Sequence, residues 1–170
     1  MNVEKLDKTL TYCIGINPAP NVACEARTYQ ATETIHFNER WTQVGILFFD
    51  VFGWSIIHAD IEGEGVACEP LDTTLKQAAC QKADVFVFPC AFSLHVAKSL
   101  LGTPFSWKKL RAFKTNRWPT VDDGVTCAEL LALCSDEVYK VNKYAAKPCQ
   151  KYRPIDWQEI GKGKIERLEP

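Results

Sequence analysis

Residues 43–71 read QVGILFFDVFGWSIIHADIEGEGVACEPL, and this stretch decides the fold. Gln43 to Asp50 is an apolar run of strand length. A turn at Val51–Gly53 leads into Trp54 to Ile61, and Gly63 and Gly65 bound a further run, Val66 to Leu71. The connections hold only a few residues, too few for the crossover that parallel strands require. The three runs therefore predict an antiparallel meander.

Working outward, Thr11 to Asn17 is a short apolar run stopped by Pro18 and Pro20, with a polar loop following it through Glu39. Downstream, Asp84 to Pro89 (DVFVFP) carries apolar residues on both faces and predicts another strand. Phe92 to Leu101 predicts a helix ended by Gly102 and Pro104. Phe105 to Asp123 is aromatic and basic and reads as irregular. A second helix starts near Thr126 and carries Leu130, Leu131, Leu133, Cys134, Val138 and Val141 on a helical period. After Pro148 the chain ends in a mixed tail holding Pro154 and Trp157, with a last strand at Lys164 to Leu168. Strands come first and helices after them, so the class is α+β. The 170 residues suit one domain, 1–170, with a substantial core.

Composition narrows the function classes. Hydrophobic residues make up 46% and charged residues 24%, the balance of a globular chain. The net charge is −1, from 20 basic and 21 acidic residues, which offers no bulk attraction to nucleic acid or an anionic membrane. A basic cluster at Lys108, Lys109, Arg111, Lys114 and Arg117 reads as a solvated face, so no nucleic-acid partner is expected. The longest apolar runs are short and broken, and the opening MNVEKLDKTL lacks an apolar signal region. Neither a transmembrane segment nor a secretory signal is expected, which implies a cytoplasmic setting, or the host cytoplasm for a viral chain. The eight cysteines then read as reduced thiols, mostly small buried hydrophobes. Cys13, Cys24, Cys68, Cys80 and Cys90 have no Cys-x-x-Cys spacing and no histidine at ligand spacing, so neither metal nor cofactor is expected.

Cys127 is the candidate nucleophile. Thr126-Cys127-Ala128-Glu129 has the form of a capping box, with Cys127 first in the helix. A thiol there meets the positive end of the helix dipole and unpaired N–H groups, which favour the thiolate and can hold an oxyanion. Glu129, Asp122 and Asp123 act in the opposite sense. Cys134, seven residues on, falls in the core. Of three histidines, His58 lies on a strand, on one face with Trp54, Ile56 and Asp60. His36 in a polar loop and His95 on an apolar helix read as structural.

Six segments in order resemble the circularly permuted NlpC-type, papain-like thiol hydrolases, a group with YiiX-like bacterial proteins, a poxvirus family and lecithin:retinol acyltransferase-like enzymes. Trp41-Thr42-Gln43-Val44-Gly45-Ile46 resembles the family's W/Y-T-H-V-G-I strand, and Ile56-Ile57-His58-Ala59 takes the place of the next strand. Gly65-Val66-Ala67-Cys68-Glu69-Pro70-Leu71 is similar to G-V-x-x-x-P-L, and Leu101-Gly102-Thr103-Pro104-Phe105 to L-G-x-P-Y. Val125 to Leu131 resembles the nucleophile helix, and Arg153-Pro154-Ile155-Asp156 through Ile165 the closing segment. The resemblance covers roughly two thirds of the chain. It implies a permuted papain-like fold, with an antiparallel sheet packed against a helix carrying Cys127 at its N-terminus. It also implies a hydrolase or acyltransferase acting on an amide, ester or thioester of a peptide or acyl lipid.

Two departures qualify that activity. Gln43 stands where the family has its base histidine, and glutamine takes no proton from a thiol. Phe105 stands where the family has a tyrosine hydroxyl donor. The acyltransferase-like branch carries histidine at the third triad position, which His58 occupies. The resemblance thus allows Cys127 as nucleophile, His58 as base and Gln43 as orienter or oxyanion donor. The alternative is a catalytically silent module that keeps the cleft to hold a peptide, a lipid or a partner protein. Phe105, Trp107 and Trp118 are candidates to line that cleft, with ordinary packing as the plain reading. An unrelated domain with Cys127 in its core is the third reading, and it demands a closed environment around the sulfur.

Overall fold

In the computed structural model, residues 1–17, 41–60, 65–135 and 148–169 are described. The sequence elements or residues placed at His36, Cys24, Val138 and Val141, and the polar loop before Trp41, lie outside them. The four strands of the N-terminal half are β1 (Tyr12–Asn17), β2 (Gln43–Asp50), β3 (Gly53–Asp60) and β4 (Gly65–Pro70). The helix α1 (Leu71–Cys80) follows, then β5 (Asp84–Pro89), α2 (Leu94–Ser99), α3 (Trp107–Thr115), α4 (Cys127–Cys134), α5 (Pro154–Ile160) and β6 (Glu166–Leu168). The strands form one six-stranded sheet in the order β4-β3-β2-β1-β5-β6. All neighbours are antiparallel, and β2-β3-β4 is the expected meander.

Period-two alternation gives the sheet two apolar faces. Val44, Ile46, Phe48, Ile57, Ala59 and Phe88 pack with Ala128, Leu130 and Leu131 of α4 and Trp157 of α5. Leu47, Ile56, Val85 and Val87 pack on the other face with Leu71 and Ala78 of α1. The apolar residues of β5 thus serve both cores, as the run DVFVFP requires.

Three helices depart from the sequence reading. Leu71, read as a strand end, opens α1, whose buried residues Leu71, Thr74 and Ala78 lie on one helical face. Residues 107–115, read as irregular, form α3, capped by the Ser106 hydroxyl at its start and by Asn116 in the left-handed region (φ 54°) at its end. The tail contains α5, started by Pro154 at its first turn, a position where the missing N–H costs nothing. Leu133, placed with the apolar period of α4, is 42% exposed, while its neighbours in that helix are buried. No helix among the described residues is long and apolar enough to cross a membrane.

Candidate functional site

The start of α4 is fixed from three directions. Glu129 N–H donates to the Thr126 hydroxyl, and Thr126 N–H donates to Glu129 Oε2, both at 3.3 Å, which completes the capping box. Lys109 of α3 donates from Nζ to Glu129 Oε1 at 2.8 Å, to Glu129 Oε2 at 3.1 Å and to the Gly124 carbonyl at 2.7 Å. This pair is buried, so one member of the basic cluster is not a solvated face: Lys109 is 7% exposed. From below, Trp157 of α5 donates its indole N–H to the Ala128 carbonyl at 3.1 Å.

The turn through residues 102–106 joins β4 to this helix start. Val66 N–H donates to the Thr103 carbonyl and Gly102 N–H to the Val66 carbonyl, each at 2.8 Å. Val125 N–H then donates to the Pro104 carbonyl at 2.9 Å, and Ser106 N–H to the Val125 carbonyl at 3.0 Å. Close approach dictates glycine at 65, where φ is +93° and an added Cβ would lie 2.0 Å from the Thr103 carbonyl oxygen. Three of the segments singled out in sequence therefore meet here through backbone hydrogen bonds.

Cys127 is the first residue of α4 and is 5% exposed. Burial pushes its thiol above the ordinary range, while the backbone N–H groups of Val44, Ala128 and Cys127 itself pull the other way without overcoming it. The acidic neighbours expected to raise it are answered elsewhere. Glu129 is paired with Lys109, and Asp122 accepts from the Ser106 hydroxyl and the Gly124 amide. Desolvation, rather than nearby charge, keeps this thiol protonated. Cys13, Cys90 and Cys134 share the same core, whereas Cys68 and Cys80 are exposed, and the seven cysteines among the described residues are free thiols.

Gln43 and His58 are brought together. Gln43 Nε2 lies 3.1 Å from His58 Nδ1, so the amide donates and Nδ1 accepts. The other ring nitrogen, Nε2, lies 3.3 Å from Glu69 Oε1 on β4, and the Thr74 hydroxyl of α1 donates to that same oxygen at 2.5 Å. Both nitrogens of the imidazole are thereby engaged. Alternation directs this row towards the face covered by α1, because Ile56 packs there and Ile57 and Ala59 pack with Cys127. Gly45 makes room for it, since a Cβ at 45 would lie 2.9 Å from Ile56 Cγ2 and 3.2 Å from His58 Cβ. Cys127 instead meets the backbone amide of Val44, one residue along β2 from Gln43.

Sequence reasoning missed Glu69, Thr74 and Lys109. Glu69 carried a signal: with His58 opposite Ala67, the residue two along β4 shares its face. The aromatic candidates form two pairs. Phe105 meets Trp107 edge to face at 5.5 Å, and Phe105 packs against the core that holds Cys127. Trp118 meets Phe113 at 5.0 Å, with the Lys151 ammonium 5.5 Å above its ring. No group of three or more histidine, cysteine or acidic side chains among the described residues is arranged to hold a metal ion. Comparisons with protein-family models, with curated proteins and with solved structures each found no match.

Proposed function

We propose that this chain is a catalytically silent, permuted papain-like module whose cleft, at the start of α4, serves to bind a peptide, an acyl lipid or a partner protein. One observation carries the reading: each ring nitrogen of His58 already has a partner, Gln43 on one side and Glu69 on the other. A general base needs an open lone pair within reach of the thiol proton. Gln43, at the position of the family's base, supplies a donor and no such lone pair of comparable basicity. Burial of Cys127 acts in the same direction, because it disfavours the thiolate that attack requires. The six segments in permuted order support the papain-like assignment.

The hydrolase or acyltransferase reading, with Cys127 as nucleophile, has its own observation. The backbone N–H groups of Val44, Ala128 and Cys127 favour negative charge on the sulfur, an influence that would also favour an oxyanion on a bound carbonyl. In that reading the sheet must rearrange, because His58 lies on the face covered by α1 and Cys127 packs on the other.

Iodoacetamide labelling from about pH 5 to about pH 9, read site by site by mass spectrometry, separates the two. The silent module labels at Cys127 more slowly than at the exposed Cys68 and Cys80, and His58→Ala changes nothing. Rapid labelling of Cys127 near neutral pH, slowed by His58→Ala, overturns the proposal in favour of a working thiolate–imidazole pair.

A further inference from the structure

We infer that the β2–β3 hairpin is a wedge for an anionic lipid bilayer, with Val51 and Phe52 entering the interface and Lys8 and Lys98 engaging headgroups on either side. The register pairs Asp50 with Gly53, which leaves Val51 and Phe52 alone at the apex. Neither is needed to build the turn. Gly53 takes the left-handed conformation at φ +107°, and Asp50 Oδ1 accepts from Phe52 N–H at 2.8 Å. Polar residues would satisfy the same geometry, yet Val51 is 93% exposed and Phe52 is 91% exposed. Isolated exposed apolar residues are ordinary; two adjacent ones on a protruding turn are not.

The charge around the apex selects the occupant. The Lys8 ammonium lies 4.6 Å above the Phe49 ring, and the Lys98 ammonium lies 5.4 Å above the Phe48 ring. Phe48 and Phe49 are consecutive in β2, so their rings leave opposite faces and each face of the hairpin root carries one cation. The apolar tip, the partly exposed Phe49 ring and the flanking ammonium groups follow the order of media across a bilayer interface, with Phe48 buried in the core behind them. A convex apex also suits a fluid that closes around it, whereas a protein partner must supply a matching pocket. The Phe52 N–H is held by the Asp50 carboxylate, so the turn backbone stays at headgroup level while the two side chains reach below it. The Asp50 carboxylate stops penetration at the depth of the two side chains. The overall net charge of −1 makes this a local attraction, weak and sensitive to salt.

The full chain is sedimented with sucrose-loaded vesicles of phosphatidylcholine, alone and with about one third phosphatidylserine. The wild type is expected to bind the mixed vesicles and to dissociate as salt rises. The double variant Val51→Ser/Phe52→Ser should lose at least about tenfold in partitioning, and Lys8→Gln or Lys98→Gln about fivefold each on anionic vesicles only. Unchanged melting of these variants is expected from the exposure of the replaced side chains. Absence of binding at about millimolar lipid, or equal binding by the double variant, overturns the inference. So does a self-association, seen by sedimentation velocity, that the double variant abolishes in a chain that ignores vesicles, because the apex then meets a second copy.

Discussion

Replacing Lys109 by methionine removes one charge from a buried pair while keeping the length and apolar body of the side chain. Lys109 and Glu129 side chains are 8% and 7% exposed, so water cannot take over the lost interaction. The ammonium now serves three acceptors: both Glu129 oxygens, at 2.8 and 3.1 Å, and the Gly124 carbonyl at 2.7 Å. In the variant the carboxylate keeps only the Thr126 amide, at 3.3 Å. An uncompensated buried charge costs about 3–5 kcal/mol, and the stranded carbonyl places this case towards the upper end. A domain of this size has about 5–15 kcal/mol in all, so the loss is a large share of it. Glu129→Gln added to Lys109→Met removes the charge and keeps an acceptor for the capping box, and it should restore about 2–3 kcal/mol. Urea unfolding followed by circular dichroism measures the four-member cycle. A loss below about 1 kcal/mol in Lys109→Met, or a double variant as unstable as the two singles summed, refutes the idea that this pair holds the helix start.

Gly45→Ala inserts a methyl 2.9 Å from Ile56 Cγ2 and 3.2 Å from the Ile57 carbonyl oxygen, so β2 and β3 must part. Thermal melts should show a loss of about 1–3 kcal/mol, with altered imidazole NMR shifts as the Gln43–His58 contact lengthens. Asp122→Asn probes acid stability. Burial pushes that carboxyl up, but the Ser106 hydroxyl, the Gly124 amide and the charges of Lys109 and Lys108 outweigh it and hold it below the usual carboxylate range. A depressed folded pKa stabilises the protein above the unfolded value and loses that contribution as pH falls through the folded one. The stability difference between wild type and Asp122→Asn should therefore be constant near neutral pH and shrink below about pH 4, as denaturant titrations can follow. A difference independent of pH would remove Asp122 from the account.

The sheet was legible because its signals are local and redundant. Short connections force the β2-β3-β4 meander, and the continuous apolar run of β5 meets two cores. The capping box was legible too, since Thr126 and Glu129 sit at the spacing that a helix start uses. Two of the three helices, α1 and α3, escaped because their buried faces are not apolar enough to print a period, and α5, at seven residues, is too short to print one. Thr74 in α1 and Lys109 in α3 are polar residues on buried faces, each satisfied by a carboxylate on another element, Glu69 and Glu129. A polar residue at a core position is read as surface unless its distant partner is known. For Cys127 the sequence sets the helix dipole against acidic neighbours and leaves the balance open; the thiol is indeed raised, but by burial. Counting acidic neighbours ignores Lys109 and Ser106, which answer them, and ignores the burial that decides the outcome.

These same polar pairs bear on how the site works. Glu69 ties β4 to β3 through His58 and to α1 through Thr74, while Gln43 extends the row to β2. Lys109 ties α3 to the start of α4, and Trp157 ties α5 to its first turn. The elements joined by these bonds are thus fastened directionally as well as by apolar contact. Such fastening preorganises a surface for binding, since less ordering remains to be done when a ligand arrives. It serves chemistry only when the reactive groups themselves stay free to exchange a proton. Here the imidazole is fastened on the α1 face of the sheet and the thiol is held neutral on the other, so rigidity and reactivity part company. A helix start held by directional bonds around a neutral thiol is better suited to recognition than to chemistry.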